Sequence, residues 1–282
     1  MILTSLFENI DIIIYPLIVG ILISLTAAIL GVVLVLKRYS MIGDGLSHVS
    51  FGVIAVLMAI SPLIEVMEYN HIIYLAIPIV MIVAYILLRI GENSSKIKGD
   101  AAIGLISSAA LAIGYFVGSL SEGFTKDINS MMFGSIVLAD KQDFLIILPV
   151  CLVVIAFFVF FYHRIFSVTF DEEFAKATGI KTKIYNMIFA FVTAITVVIG
   201  IKIMGALLIS SLIILPALSA MQVFTKFKKV IIASSLISVF CFVVAFFAFA
   251  NYSSASSIVI VDLIVFIVFS IIGFIKRSLT KA

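Results

Sequence analysis

Seven stretches of this chain run for 17 to 25 residues without a charged side chain: 12–36, 72–88, 101–118, 144–162, 184–201, 203–224 and 230–250. A helix rises 1.5 Å per residue, so about 20 apolar residues cover a hydrocarbon layer roughly 30 Å thick. Each run is long enough to span a bilayer as a helix, which satisfies its own backbone where no water is available. Two further runs of similar length carry ionisable groups: 41–60 contains Asp44 and His48, and 258–275 contains Asp262. The expectation is an all-α, polytopic integral membrane protein with about nine transmembrane helices, eight if one run is re-entrant. Residues 1–282 then form a single transmembrane domain, with a cytoplasmic loop at 163–183.

Composition closes off the other classes. The chain is 64% hydrophobic and 12% charged, whereas soluble domains are about 45 to 50% apolar and about 25% charged. A soluble enzyme, a nucleic-acid binder and a disordered chain are set aside, so no nucleic-acid partner is expected. The net charge of +3 says little until the charges are placed. Cys151 and Cys241 both lie inside apolar runs, which suits packing better than a disulfide framework or a thiol-based zinc motif. Glu8 and Asp11 precede the first run, so no cleaved signal peptide is expected. No internal repeat is evident, which argues against the repeat-built secondary transporters.

Orientation follows from Lys and Arg in alternate loops. Of the 18 such residues, 15 fall on one side, from Lys37 and Arg38 through Lys276, Arg277 and Lys281; only Lys126, Lys141 and Lys202 fall on the other. This split predicts an outside N-terminus and a cytoplasmic C-terminus. In the outer connection after Gly118, the apolar segment 128–138 is too short to cross, and the expectation is a short helix lying at the outer face. Asp262 lies about one turn into the last run, where snorkelling toward outer water is expected. His71 and His163 fall at membrane edges.

Asp44 and His48 are the informative pair. An ionisable group near the middle of a spanning helix is costly, about 2.5 to 3.5 kcal/mol on insertion scales, and marks a pathway, relay or ligand site. Their i, i+4 spacing stacks a carboxylate and an imidazole on one helix face. Oxygen plus nitrogen suits zinc, manganese or iron. Two ligands are too few, and a second copy of the chain across a two-fold axis would supply two more. Gly43, Gly45, Ser47 and Ser50 are small enough for the close approach this requires. An ion pair between Asp44 and His48, or a tie to nearby backbone, explains the spacing equally well.

The 163–183 loop carries a second signal. Thr169 and Glu172 have capping-box spacing, Asp171, Glu172 and Glu173 suit a helix N-terminus, and Gly179 suits a left-handed end. Phe170, Phe174 and Ala177 recur as an apolar stripe on this otherwise charged segment. Such a stripe fits a groove on another protein, or the chain's own helix ends and lipid headgroups.

Four stretches, in order along the chain, carry a family resemblance: VLKRYSMIGDGLSHVSFG at 35–52, SMMFGSIVLADKQDF at 130–144, FDEEFAKATGI at 170–180 and KIMGALLISSLIILPALSA at 202–220. Together they resemble the membrane permease subunit of the metal-ion ABC importers, the zinc, manganese and iron uptake family also called the ABC-3 permeases. The resemblance implies a type II ABC importer-like permease in the cell membrane, with Asp44 and His48 as the metal-coordinating pair. It implies that Phe170, Asp171, Glu172, Glu173, Phe174, Ala177 and Gly179 belong to a coupling helix that docks into a cytoplasmic ATPase subunit. An extracellular metal-binding protein would deliver the ion, and the metal would be cargo with no permanently bound cofactor. Near the last crossing the family tends to have Ser-Gly-Ala where this chain reads SSASS at 253–257, and Asp262 takes no role from the resemblance. No Walker A pattern is present, so ATP hydrolysis is expected in a separate subunit and the chain is a transport subunit, not an enzyme. The leading rival is an ion-coupled secondary metal transporter in which Asp44 and His48 carry protons and no ATPase exists.

Overall fold

The computed structural model describes residues 10–37, 40–61, 69–93, 99–120, 132, 134, 136, 139–248 and 254–281, and these contain no strand. In chain order the helices are α1 (Ile10–Leu36), α2 (Ser40–Ile60), α3 (Tyr69–Asn93), α4 (Gly99–Ser119), α5 (Lys141–Phe160), α6 (Tyr162–Phe170), α7 (Glu172–Ala177), α8 (Thr182–Met204), α9 (Ala206–Val223), α10 (Phe227–Ala248) and α11 (Ser254–Lys281). The long helices fall on the expected apolar runs, with Pro16, Pro78, Pro149 and Pro216 inside them. Buried hydroxyls return their hydrogen bonds to their own helices: Thr26 donates to the Leu22 carbonyl, Thr193 to Phe189 and Ser50 to Leu46. A polar side chain is thereby satisfied without water.

Eight of these helices are long and apolar enough to cross a membrane, while α3 contains a shorter apolar stretch, His71–Leu87. Helix direction decides whether α3 also crosses. Gly45 of α2 faces Ile103 and Ser107 of α4, and Gly52 faces Ala110 and Gly114. The numbers rise together, so α2 and α4 run parallel, and the helix between them must return across the layer. A second pair agrees. Ser238 of α10 donates to the Ser24 carbonyl of α1 at 2.9 Å, and Ser234 donates to Ala28 at 3.4 Å. Those numbers run oppositely, as the first and eighth of nine crossings must. The 25 residues of α3 extend roughly 37 Å, which is ample.

Helix α1 forms the middle of the bundle, with 72% of its spanning window buried against 22% for α11. It packs on α5, α9 and α10. Helices α8 and α9 are separated only by Gly205, whose φ of 84° lies in the left-handed region that side chains disfavour. The segment expected to lie at the outer face, 128–138, falls largely outside the described residues. Of those described, Ile136 is buried, and Gly134, with φ of 66°, lies against the backbone of Met204 and Gly205. That part of the segment therefore caps the α8–α9 joint. Cys151 and Cys241 are free and buried, as their apolar settings predict.

Candidate metal site and coupling segment

Helix α2 is held on two sides. Ser47 Oγ donates to the Asp44 carbonyl at 2.7 Å and also meets Ser210 Oγ of α9 at 2.9 Å. On that same side Gly43 meets the Ile213 side chain of α9 at 3.2 Å, and on the other side Gly45 lies against Ile103 of α4. These contacts correct the expectation that Gly43, Gly45, Ser47 and Ser50 wait for a second copy. All four are buried within the chain, because small residues let α4 and α9 of the same molecule approach closely.

What remains open on α2 is the edge bearing Asp44 and His48. Asp44 Oδ2 and His48 Nε2 stand 3.7 Å apart, with the side chains 45% and 33% exposed. This separation is too long for a hydrogen bond. It matches two donors facing a common point on the helix surface. His48 Nδ1 is buried with no hydrogen-bond partner among the described residues, so no acceptor there fixes the ring as acceptors do at completed metal sites. Among the described residues no group of three or more His, Cys, Asp or Glu side chains gathers at one point. The pair is accessible, with no third side chain of these types beside it among the described residues.

Asp262 does not snorkel. It is 1% exposed, and the group beside its carboxylate is the Cys241 thiol of α10. Depth along a helix can be read from sequence, but the face a residue presents cannot, and α11 turns Asp262 inward. His71 and His163 are exposed at helix ends, as expected.

At the lysine-rich end of the bundle, α6 and α7 form the loop anticipated at 163–183. The N-cap differs from the expected one. Thr169 Oγ1 donates to the Ile165 carbonyl inside α6, and the Asp171 carboxylate instead accepts the Phe174 N–H at 2.9 Å. Thr169 cannot cap because α6 continues through it, and the chain becomes extended only at Asp171, with φ of −147° and ψ of 94°. The far end is as expected. Gly179 has φ of 84°, its N–H donates to Lys176, and the Ile180 N–H reaches the Ala175 carbonyl, the paired bonds of a Schellman ending.

Ala175 is buried against Val168 and Tyr185 and so seats α7 on the bundle. Phe170, Phe174 and Ala177 are exposed. Phe170 also packs edge-on against Phe227 of α10, with ring centroids 5.7 Å apart. Glu172 anchors the segment: its carboxylate accepts from Asn186 at 3.3 Å, and the Asn186 side-chain carbonyl accepts from Lys37. Burial alone would raise the Glu172 carboxyl, but the Asn186 hydrogen bond and the Lys37 and Lys176 charges outweigh it and hold the group below its usual range. Sequence inspection missed this chain of contacts, although a polar Asn186 in the apolar run of α8 was a visible signal. It also missed the ion pair at the opposite end, where Lys202 Nζ lies 2.5 Å from Asp143, each largely buried.

Comparison with known proteins bears on the family and the fold. The model of the ABC 3 transport family matches residues 9–273. The high-affinity zinc uptake system membrane protein ZnuB of Buchnera aphidicola is 31% identical over 221 residues, covering 78% of this chain and 81% of that protein. The manganese import system permease protein ScaB of Streptococcus gordonii is 28% identical over 269 residues, covering 94% and 92%. Among solved structures, PsaBC from Streptococcus pneumoniae in complex with Fab superposes with a TM-score of 0.79 at 23% identity over 95% of each chain. That likeness extends to the fold.

Proposed function

Because this chain belongs to the ABC 3 transport family, we propose that it is the permease subunit of an ATP-driven importer of divalent transition-metal ions, zinc, manganese or iron, working as a homodimer in the cell membrane. The observation that carries this reading is the open edge of α2, where Asp44 and His48 face outward at 3.7 Å and want further ligands. A second copy related by a two-fold axis brings a second Asp44 and His48, and four mixed oxygen and nitrogen donors suit such a dication. Relatives named for zinc uptake and manganese import support the cargo class. The donor chemistry admits either metal.

In this reading the ion arrives from an extracellular metal-binding protein at the outer loops, including the segment around Met131 to Leu138. Asp44 and His48 bind it transiently, and closure of one face with opening of the other releases it inward. Cytoplasmic ATPase subunits drive that change through α7, whose exposed Phe170, Phe174 and Ala177 form the docking stripe, with Asp171, Glu172, Glu173 and Gly179 fixing the helix that presents it. The N-terminus lies outside and the C-terminus in the cytoplasm, supported by the clustering of lysines at the coupling end.

Metal content measured element by element, in cells with and without the chain, identifies the cargo. In vesicles, uptake requires the ATPase partner and ATP; uptake driven by a pH gradient with this chain alone would overturn the reading in favour of the secondary transporter.

A further inference from the structure

A groove of about 490 Å³ opens on the flank of the bundle, away from the Asp44 edge, between α1, α5, α6 and α10. Its floor is Ile29 and the buried ring of Phe158; its walls are Ile155, Val159, Ile231 and Ile232. The polar lining residues all lie at one end: Tyr162 and His163 at the start of α6, and Lys228 at the start of α10. Among the described residues no acidic side chain lines it. The surrounding surface is apolar and exposed, with Leu152, Val153, Phe160, Leu236 and Phe240 all facing outward.

That arrangement matches one kind of molecule. A cleft within the hydrocarbon layer is filled by hydrocarbon, and a cationic mouth at the layer's edge selects the headgroup above it. We propose that this groove is a binding site for an anionic phospholipid, with an acyl chain lying along Ile155, Val159 and Ile232 and the phosphodiester held by Lys228 and the His163 ring. Lys226, Lys229 and Arg164 flank the mouth and are exposed, which adds to the attraction for negative charge. The orientation proposed above enters only in assigning the lipid to the cytoplasmic leaflet. The mouth is also joined to the docking stripe by packed rings: Tyr162 meets Phe227 at 5.6 Å between centroids, and Phe227 meets Phe170 at 5.7 Å.

Native mass spectrometry of the detergent-purified chain, titrated with dioleoyl phosphatidylglycerol and dioleoyl phosphatidylcholine, tests the site without reference to transport. The expected result is preferential retention of phosphatidylglycerol, weakened roughly ten-fold by Lys228→Gln, the scale of one charge-assisted contact. Lys141→Gln, an exposed lysine at the start of α5 and so at the opposite end of that helix from the mouth, should leave retention within about two-fold. Ile232→Trp, which fills the cleft and keeps every charge, should also release the lipid, and dihexanoyl phosphatidylglycerol should bind weakly for want of chain length. Equal retention of the two lipids, equal losses in the two lysine variants, undiminished binding in Ile232→Trp, or displacement by inorganic phosphate would each overturn the proposal.

Discussion

Asp44 and Asp262 both lie in membrane-spanning helices and meet opposite surroundings. Asp44 is nearly half exposed and looks across at His48, whereas Asp262 is sealed inside the bundle beside the Cys241 thiol. A carboxylate that must exchange an ion with water needs the first setting. The second admits no such exchange without a large rearrangement. Access, more than the presence of an ionisable group, separates a candidate transport ligand from a buried residue, because insertion scales assign both carboxylates a similar cost. Glu172 stands between them, partly buried but fully satisfied by Asn186, Lys37 and Lys176.

The sharpest way to break the contrast is to remove each group in turn. Asp44→Ala or His48→Ala should reduce metal uptake to background at unchanged membrane abundance, measured as radiolabelled metal in cells; retained uptake would end the site assignment. Next in size is Phe174→Asp, which places a charge in the middle of the docking stripe. Loss of a central aromatic anchor is worth about 2 kcal/mol or more, so pull-down of the ATPase should fail while metal still shields the Asp44 edge from hydrogen exchange.

Acid titration tests the intermediate case. The folded Glu172 carboxyl sits below its ordinary value, so its contribution to anchoring α7 is fully present above that value and is lost as pH falls through the lower folded one. Exchange protection of the α7 amides should therefore persist into acid and then drop, and Glu172→Gln should abolish that drop. The smallest effect is expected from Asp262→Asn, which should leave uptake within about two-fold if Asp262 stays outside the ion's path. A loss matching that of Asp44→Ala would erase the comparison.

The spans were legible because hydrocarbon demands long uninterrupted apolar runs, which leave a mark on sequence that needs no partner to read. The Asp44 and His48 spacing was legible for a similar reason, since one helix determines it. What sequence left obscure depends on neighbours. Gly43 and Gly45 advertise close packing without saying against which helix, and they proved to serve α9 and α4. Thr169 and Asp171 are both competent caps, and only the continuation of α6 decides between them. Lys37, Asn186 and Glu172 meet across separations that no local pattern records, and Asp262 is turned inward by the packing of α11.

The near-direct backbone contact of Gly52 with Gly114 has a mechanical consequence. Two helices locked in step at that point and again at Gly45 behave as one stiff beam, so any displacement of the Asp44 edge must carry α4 along with it. On the opposite flank the grip includes a hydroxyl contact, Ser47 to Ser210, which can be unmade and remade cheaply. Of the two grips on α2, the hydroxyl contact to α9 is the one open to remodelling, and the glycine contact to α4 is the rigid one.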